Sequence, residues 1–100
     1  MRLGILVNTD RHPGEVIGIA GAAVSRGHEV VVFAMDSGVK LLADPAFAEL
    51  RALKGVTTGF CDYNAKAFDI PLDDLPREFM RGSQYDNAVM VGRADRVIVL

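Results

Sequence analysis

The sequence predicts an α/β fold: a small three-layer domain with a mostly parallel sheet of four to five strands and helices on both faces. Three observations carry this. Short apolar runs rich in β-branched residues recur along the chain, and runs that do not alternate with polar residues suit strands buried on both faces. Segments with apolar residues at helical spacing lie between them. Strands that alternate with helices join by right-handed crossovers, which makes their sheet parallel. At 100 residues the chain has the length of one domain, spanning 1–100.

The first strand is Arg2 to Asn8, and it is expected to be central because it is apolar on both faces. Thr9 to Gly14 breaks the pattern, and Pro13 suits the first turn of a helix, where a missing N–H costs nothing. Val16, Ile17, Ala20, Ala23 and Val24 share one face of that helix, and Gly27 follows as its left-handed cap. Gly18 and Gly21 lower its helix propensity while permitting close approach to the sheet. Strand two, Glu29 to Ala34, runs into the turn composition Met35-Asp36-Ser37-Gly38.

Asp44 before Pro45 is a helix start signal, with Phe47, Leu50 and Leu53 as the buried face and Gly55 as the end. Strand three is Val56 to Phe60, Cys61 follows it, and residues 62–68 read as helix. A loop or broken helix lies between Pro71 and Pro76, and Glu78-Phe79-Met80 adds a short strand. Ser83 with Asp86 three residues on starts a capped helix that runs to about Arg93. The last strand is Val97 to Leu100.

Half the residues are hydrophobic and 24% are charged, with a formal net charge of -2. The eleven basic residues are scattered rather than striped, which leaves nucleic-acid binding without an electrostatic footprint. The apolar run at the N-terminus is too short for the core of a signal peptide. No stretch approaches the roughly 18 apolar residues of a membrane helix. A single cysteine, Cys61, forms no internal disulfide, which fits a reducing compartment. A cytoplasmic location with no membrane partner is therefore expected. Phe68, Phe79, Met80 and Tyr85 are candidates for exposure, and with the apolar Ile70–Arg81 connection they point to a homo-oligomer.

In open parallel sheets, ligands bind beyond the carboxyl ends of the strands. Four segments meet there: Asn8 to His12, Met35 to Lys40, Cys61 to Asn64, and Arg81 to Gln84. Cys61 stands apart, because the free N–H groups of a following helix favour a thiolate, the nucleophilic form. The plain alternative is that Cys61 is a small buried hydrophobe. His12 is a candidate base or anion ligand beside Asp10, against a reading in which Asp10 merely caps the helix. Asn8, Asp36 and Ser37 are further rim candidates, and Lys40 or Arg81 could reach the thiol across the rim. Asp73 and Asp74 diverge in direction and read as a solvated loop. Neither metal-ligand spacing nor a phosphate-cradling glycine loop is present.

Three stretches carry a family resemblance: Phe33-Ala34-Met35-Asp36-Ser37-Gly38-Val39, then Gly55 through Phe60 with Cys61-Asp62-Tyr63-Asn64-Ala65, then Ala94-Asp95-Arg96-Val97-Ile98-Val99-Leu100. Their order and spacing over the whole chain resemble the DsrE-like family, whose domains have a flavodoxin-like architecture. That family includes subunits of bacterial sulfur-relay and sulfur-oxidation complexes. The resemblance implies that Cys61 accepts a sulfane sulfur as a persulfide and passes it on, as a sulfurtransferase-like carrier without metal or organic cofactor. It also implies donor and acceptor proteins and assembly as a trimer or hexamer.

Small or basic residues often follow the cysteine in that family, whereas here Asp62-Tyr63-Asn64 follow. Asp62 would oppose a thiolate unless it points away. Two other classes compete: a non-catalytic oligomeric binding or scaffolding subunit with Cys61 structural, and a phospho-acceptor receiver domain. The second would want an aspartate where Cys61 stands.

Overall fold

The computed structural model describes all 100 residues. Five strands form one sheet in the order β4-β3-β2-β1-β5: β1 (Arg2–Val7), β2 (Glu29–Ala34), β3 (Val56–Cys61), β4 (Phe79–Gly82) and β5 (Arg96–Val99). Every pairing is parallel, with Ile5 opposite Val32 and Ile98, and Val32 opposite Thr58. The helices are α1 (Pro13–Ser25), α2 (Pro45–Ala48), α3 (Asp62–Ala67) and α4 (Gln84–Arg93). Segments of 3-10 helix lie at Asp36–Ala43, Glu49–Ala52 and Leu72–Asp74. β1 is an interior strand, as expected of an apolar run, but the middle position belongs to β2.

The handedness of the crossovers decides what covers each face. From β1 to β4 the chain steps three times in one direction across the sheet, so right-handed connections all return over the same face. The step from β4 to β5 runs the opposite way and returns over the other face, carrying α4 alone. The main core lies on the first face. There Leu3, Ile5 and Val7 of β1 and Val30, Val32 and Ala34 of β2 meet Val16 and Ala20 of α1, Phe47 of α2 and Ala65 of α3. On the second face Phe33, Cys61 and Met90 form a small cluster of their own. Gly4 makes room for α4 there, since a Cβ on it would stand 2.6 Å from Sδ of Met90.

Several local expectations change. Gly18 and Gly21 do not bring α1 to the sheet, because a Cβ on either would point into open space. Asp10 does not cap α1; His12 is the N-cap residue and makes no side-chain capping bond. Asp44 caps as expected, its carboxylate accepting from the N–H groups of Ala46 and Phe47. The helix it starts tightens to 3-10 after Ala48 and stops at Ala52, and Leu53, in extended backbone at its C-cap, is 37% exposed. Phe79, expected at the surface, is 5% exposed, because the pleat of β4 aims it into the main core. Ile70, Leu72 and Leu75 pack against that core too, so much of the apolar content of the 70–81 connection is used within the chain.

Candidate functional site

β3 and β4 are neighbours, yet the helix that follows β3 lies on one face and the helix that follows β4 lies on the other. Such a switch point splays the two connections apart and opens a crevice beyond the strand ends. Cys61 is the last residue of β3 and pairs in register with Gly82, the last residue of β4. A shallow depression opens there, walled by Met35 and Asp36 after β2, by Asp62, Tyr63 and Asn64 of α3, and by Ser83 and Gln84 at the start of α4. Cys61 contributes to its lining.

Each wall is fixed locally. Asp36 has φ 48°, a left-handed conformation that aspartate tolerates better than most residues. Its N–H donates to Oδ1 of Asn64 at 2.9 Å, which ties the turn after β2 to α3. Ser83 and Asp86 form a capping box: the Tyr85 N–H donates to Oγ of Ser83, and the Ser83 N–H donates to Oδ2 of Asp86 at 2.8 Å. Gly82 is needed beside it, because a Cβ there would meet the Asp86 carboxylate. Gly38 is held against the carbonyl of Val7, which seats the turn after β2 on the end of β1.

Cys61 is a free thiol and only 2% exposed. It packs with Phe33 and Met90, with Leu6, Val31 and Met35 around them. Although Cys61 occupies the N-cap position of α3, its side chain makes no capping hydrogen bond. The expected help from the helix N-terminus is therefore replaced by an apolar setting on the α4 side of the sheet.

Asp62 is directed elsewhere. Its Oδ2 lies 3.2 Å from Nζ of Lys66 one helical turn on, and its Oδ1 lies 2.6 Å from Nε of Arg81. The Arg81 contact is a close charge pair without the alignment of a hydrogen bond. Burial pushes the Asp62 carboxyl up, but hydrogen bonding from Lys66 and the charges of Arg81 and Lys66 prevail and hold it below the usual carboxylate value. Two cations thus neutralise the anion that follows the cysteine, and Arg81 serves Asp62 rather than the thiol.

Of the other rim candidates, only Asp36 lines the depression. Asn8 donates its backbone N–H to Leu100 O, and Asp10 is exposed. His12 lies 3.7 Å from Glu15 on its own helix. Ser37 is partly buried, and Lys40 sits 5.1 Å from the ring centre of Phe68. Asn64, Tyr63 and Gln84 belong to two of the segments expected to meet at the rim, though none was singled out as a candidate. The Ser83-Asp86 signature marked the start of α4, and that start stands beside Cys61, as the grouping of the rim segments led one to expect. No group of three or more His, Cys, Asp and Glu residues has the arrangement of a metal site. No helix is long and apolar enough to cross a membrane.

The structure thus defines a parallel α/β domain with a buried cysteine at the switch point of its sheet. Its fold is shared with solved structures over nearly the full length of both chains. The YchN protein from E. coli superposes with a TM-score of 0.74 at 13% identity, covering 99% of this chain and 97% of that one. A protein of unknown function, MTH1491 from Methanobacterium thermoautotrophicum, superposes with a TM-score of 0.69 at 19% identity, covering 99% and 98%. Identities this low speak to fold alone. No family model and no curated protein sequence matches the chain.

Proposed function

We propose that this chain is a DsrE-like sulfur carrier that holds sulfane sulfur as a persulfide on Cys61. The observation that supports it best is the place of the chain's only cysteine, at the end of β3 where the connections of β3 and β4 diverge. That is where open α/β sheets put their ligands. The Cys61 thiolate attacks the terminal sulfur of a donor cysteine persulfide. A bond forms between Sγ and that sulfur while the donor's S–S bond breaks. The donor leaves with the electron pair as a thiolate, and the proton stays on the terminal sulfur. The same exchange with an acceptor thiolate returns Cys61 to its starting state. Nothing is oxidised or reduced overall, so the chain's own thiol suffices.

A second reading is favoured by the burial of Cys61 among Phe33 and Met90, which is the environment of a structural cysteine. In that reading the domain is a scaffolding subunit and the thiol is packing. Mixing the protein with a persulfidated donor protein and weighing it intact separates the two. A mass gain of one sulfur, lost on reduction and absent without Cys61, is the result expected of the carrier. No gain with any persulfide donor would leave the scaffold reading.

A further inference from the structure

We infer that the groove beside α4 binds a small amphipathic acid, a molecule with an extended apolar body and one anionic end. α4 covers only part of its face of the sheet. A five-stranded sheet is roughly 19 Å across, whereas one helix covers about 10 Å. Beside the helix lies an open groove of about 360 Å³, floored by Val31, Phe33, Thr57 and Gly59. Val89 and Met90 of α4 wall it on one side, and Met80 of β4 walls it on the other.

Size decides what kind of occupant fits. The whole face measures about 380 Å² in projection, under half of the roughly 800 Å² per partner of a stable protein interface. The groove, by contrast, falls within the roughly 300–1,000 Å³ of small-molecule sites. Its trough is built into the strand pairing. Gly59 stands in register between Phe33 and Met80, and a Cβ on it would lie 3.2 Å from the Met80 carbonyl oxygen. A glycine inside a strand leaves backbone open to close approach by a ligand.

Charge orients the occupant. At one end of the groove stands Asp86, whose carboxylate already accepts the Ser83 N–H. At the other end stand Arg2, Glu29 and Arg93. The anions there are engaged: Glu29 pairs with Arg2 at 3.2 Å, and Asp95 accepts the Arg2 backbone N–H. Arg93 enters none of the protein's ion pairs, so its planar fork of N–H donors is free to hold a carboxylate. From Arg93 to Asp86 the groove follows α4 for about 10 Å, the length of a medium-chain acid. The end away from Arg93 reaches Gly82, which also borders the Cys61 depression.

Octanoate is the probe, with octanol as its uncharged counterpart. Neither carries sulfur, so the outcome leaves the carrier reading where it stands. Nitrogen-15 NMR titration of the native protein is expected to show one octanoate per chain with a Kd of roughly 1 mM. Amide shifts should gather on Val31, Thr57, Gly59 and Val89, and octanol should bind at least fivefold more weakly. Arg93→Gln should weaken octanoate at least fivefold and leave octanol unchanged. Thr57→Trp, at an exposed floor position, should block both, whereas Lys54→Gln, exposed outside the groove, changes neither. Should Thr57→Trp fail to fold, the shift map of the native protein still locates the site. No binding at ten times the expected Kd, shifts gathered elsewhere, equal affinity for octanoate and octanol, or binding that survives Thr57→Trp overturns the inference.

Discussion

Arg81 of β4 meets Asp62 at the start of α3, its Nε 2.6 Å from Oδ1, so the carboxylate beside Cys61 is answered from the neighbouring strand. The folded protein holds Asp62 below its ordinary value through Lys66 and Arg81 against the opposing effect of burial. A carboxyl lowered on folding stabilises above its unfolded pKa, about 3.9, and that contribution disappears as pH falls through the folded value. Asp62→Asn is therefore expected to lower the urea midpoint at neutral pH. The gap between variant and native protein should narrow steadily below about pH 4. Urea titrations of both proteins across that range check it, and a gap independent of pH would contradict it.

Glycines of opposite consequence sit in α1 and in the turn after β2. Gly38 lies against the Val7 carbonyl, so Gly38→Ala forces backbone to move and should cost about 1–3 kcal/mol. Gly18 faces open space inside a helix, where Gly18→Ala should add roughly 0.5–1 kcal/mol. Denaturant unfolding of the two variants measures both, and the signs must differ.

Cys61 calls for two substitutions. Because the thiol is sealed among Phe33, Met35 and Met90, Cys61→Ser buries a hydroxyl and is expected to cost about 1–3 kcal/mol whether or not the residue is reactive. Stability loss in the serine variant therefore does not separate carrier from scaffold. Cys61→Ala introduces no polar group, and should cost less while abolishing any sulfur uptake. Thermal melts and intact mass on the pair of variants test this expectation, which fails if serine proves the milder change.

Much of the fold was legible because its signals are local. β-branched runs marked the strands, Asp44-Pro45 and Ser83 with Asp86 marked two helix starts, and alternation of the two element types fixed a parallel sheet. What was not legible depends on rotation or distance. The phase of α1 was ambiguous because small and apolar residues surround it, so Gly18 and Gly21 were placed on the wrong side. The helix stops at Ala52 and leaves Leu53 exposed in extended backbone, and no single residue announces that stop.

At the site, the strand end marked by Cys61 could be read from the order of elements. The Asp62–Arg81 pair could not, because it joins the start of α3 to β4, which only the sheet order brings together. The burial of the thiol was open in the sequence and is decided by the pleat, which aims Cys61 toward α4 while Phe60 faces the main core.

The sheet order also sets a schedule for assembly of the chain. β1 through β4 are joined to sequential neighbours, but β5 docks on β1 with Leu3 opposite Arg96, so nearly the whole chain separates the partners. Closing that loop carries the largest entropy cost of any pairing in the molecule, and such contacts tend to form late. Ile98→Ala in β5 should thus speed unfolding and leave the folding rate almost unchanged, whereas Val32→Ala in β2 should slow folding. Stopped-flow kinetics would show the contrast as a difference between the two arms of the chevron. The edge that carries α4 and the outermost strand is the seam of the molecule, the first place to part under load and the last to be sewn.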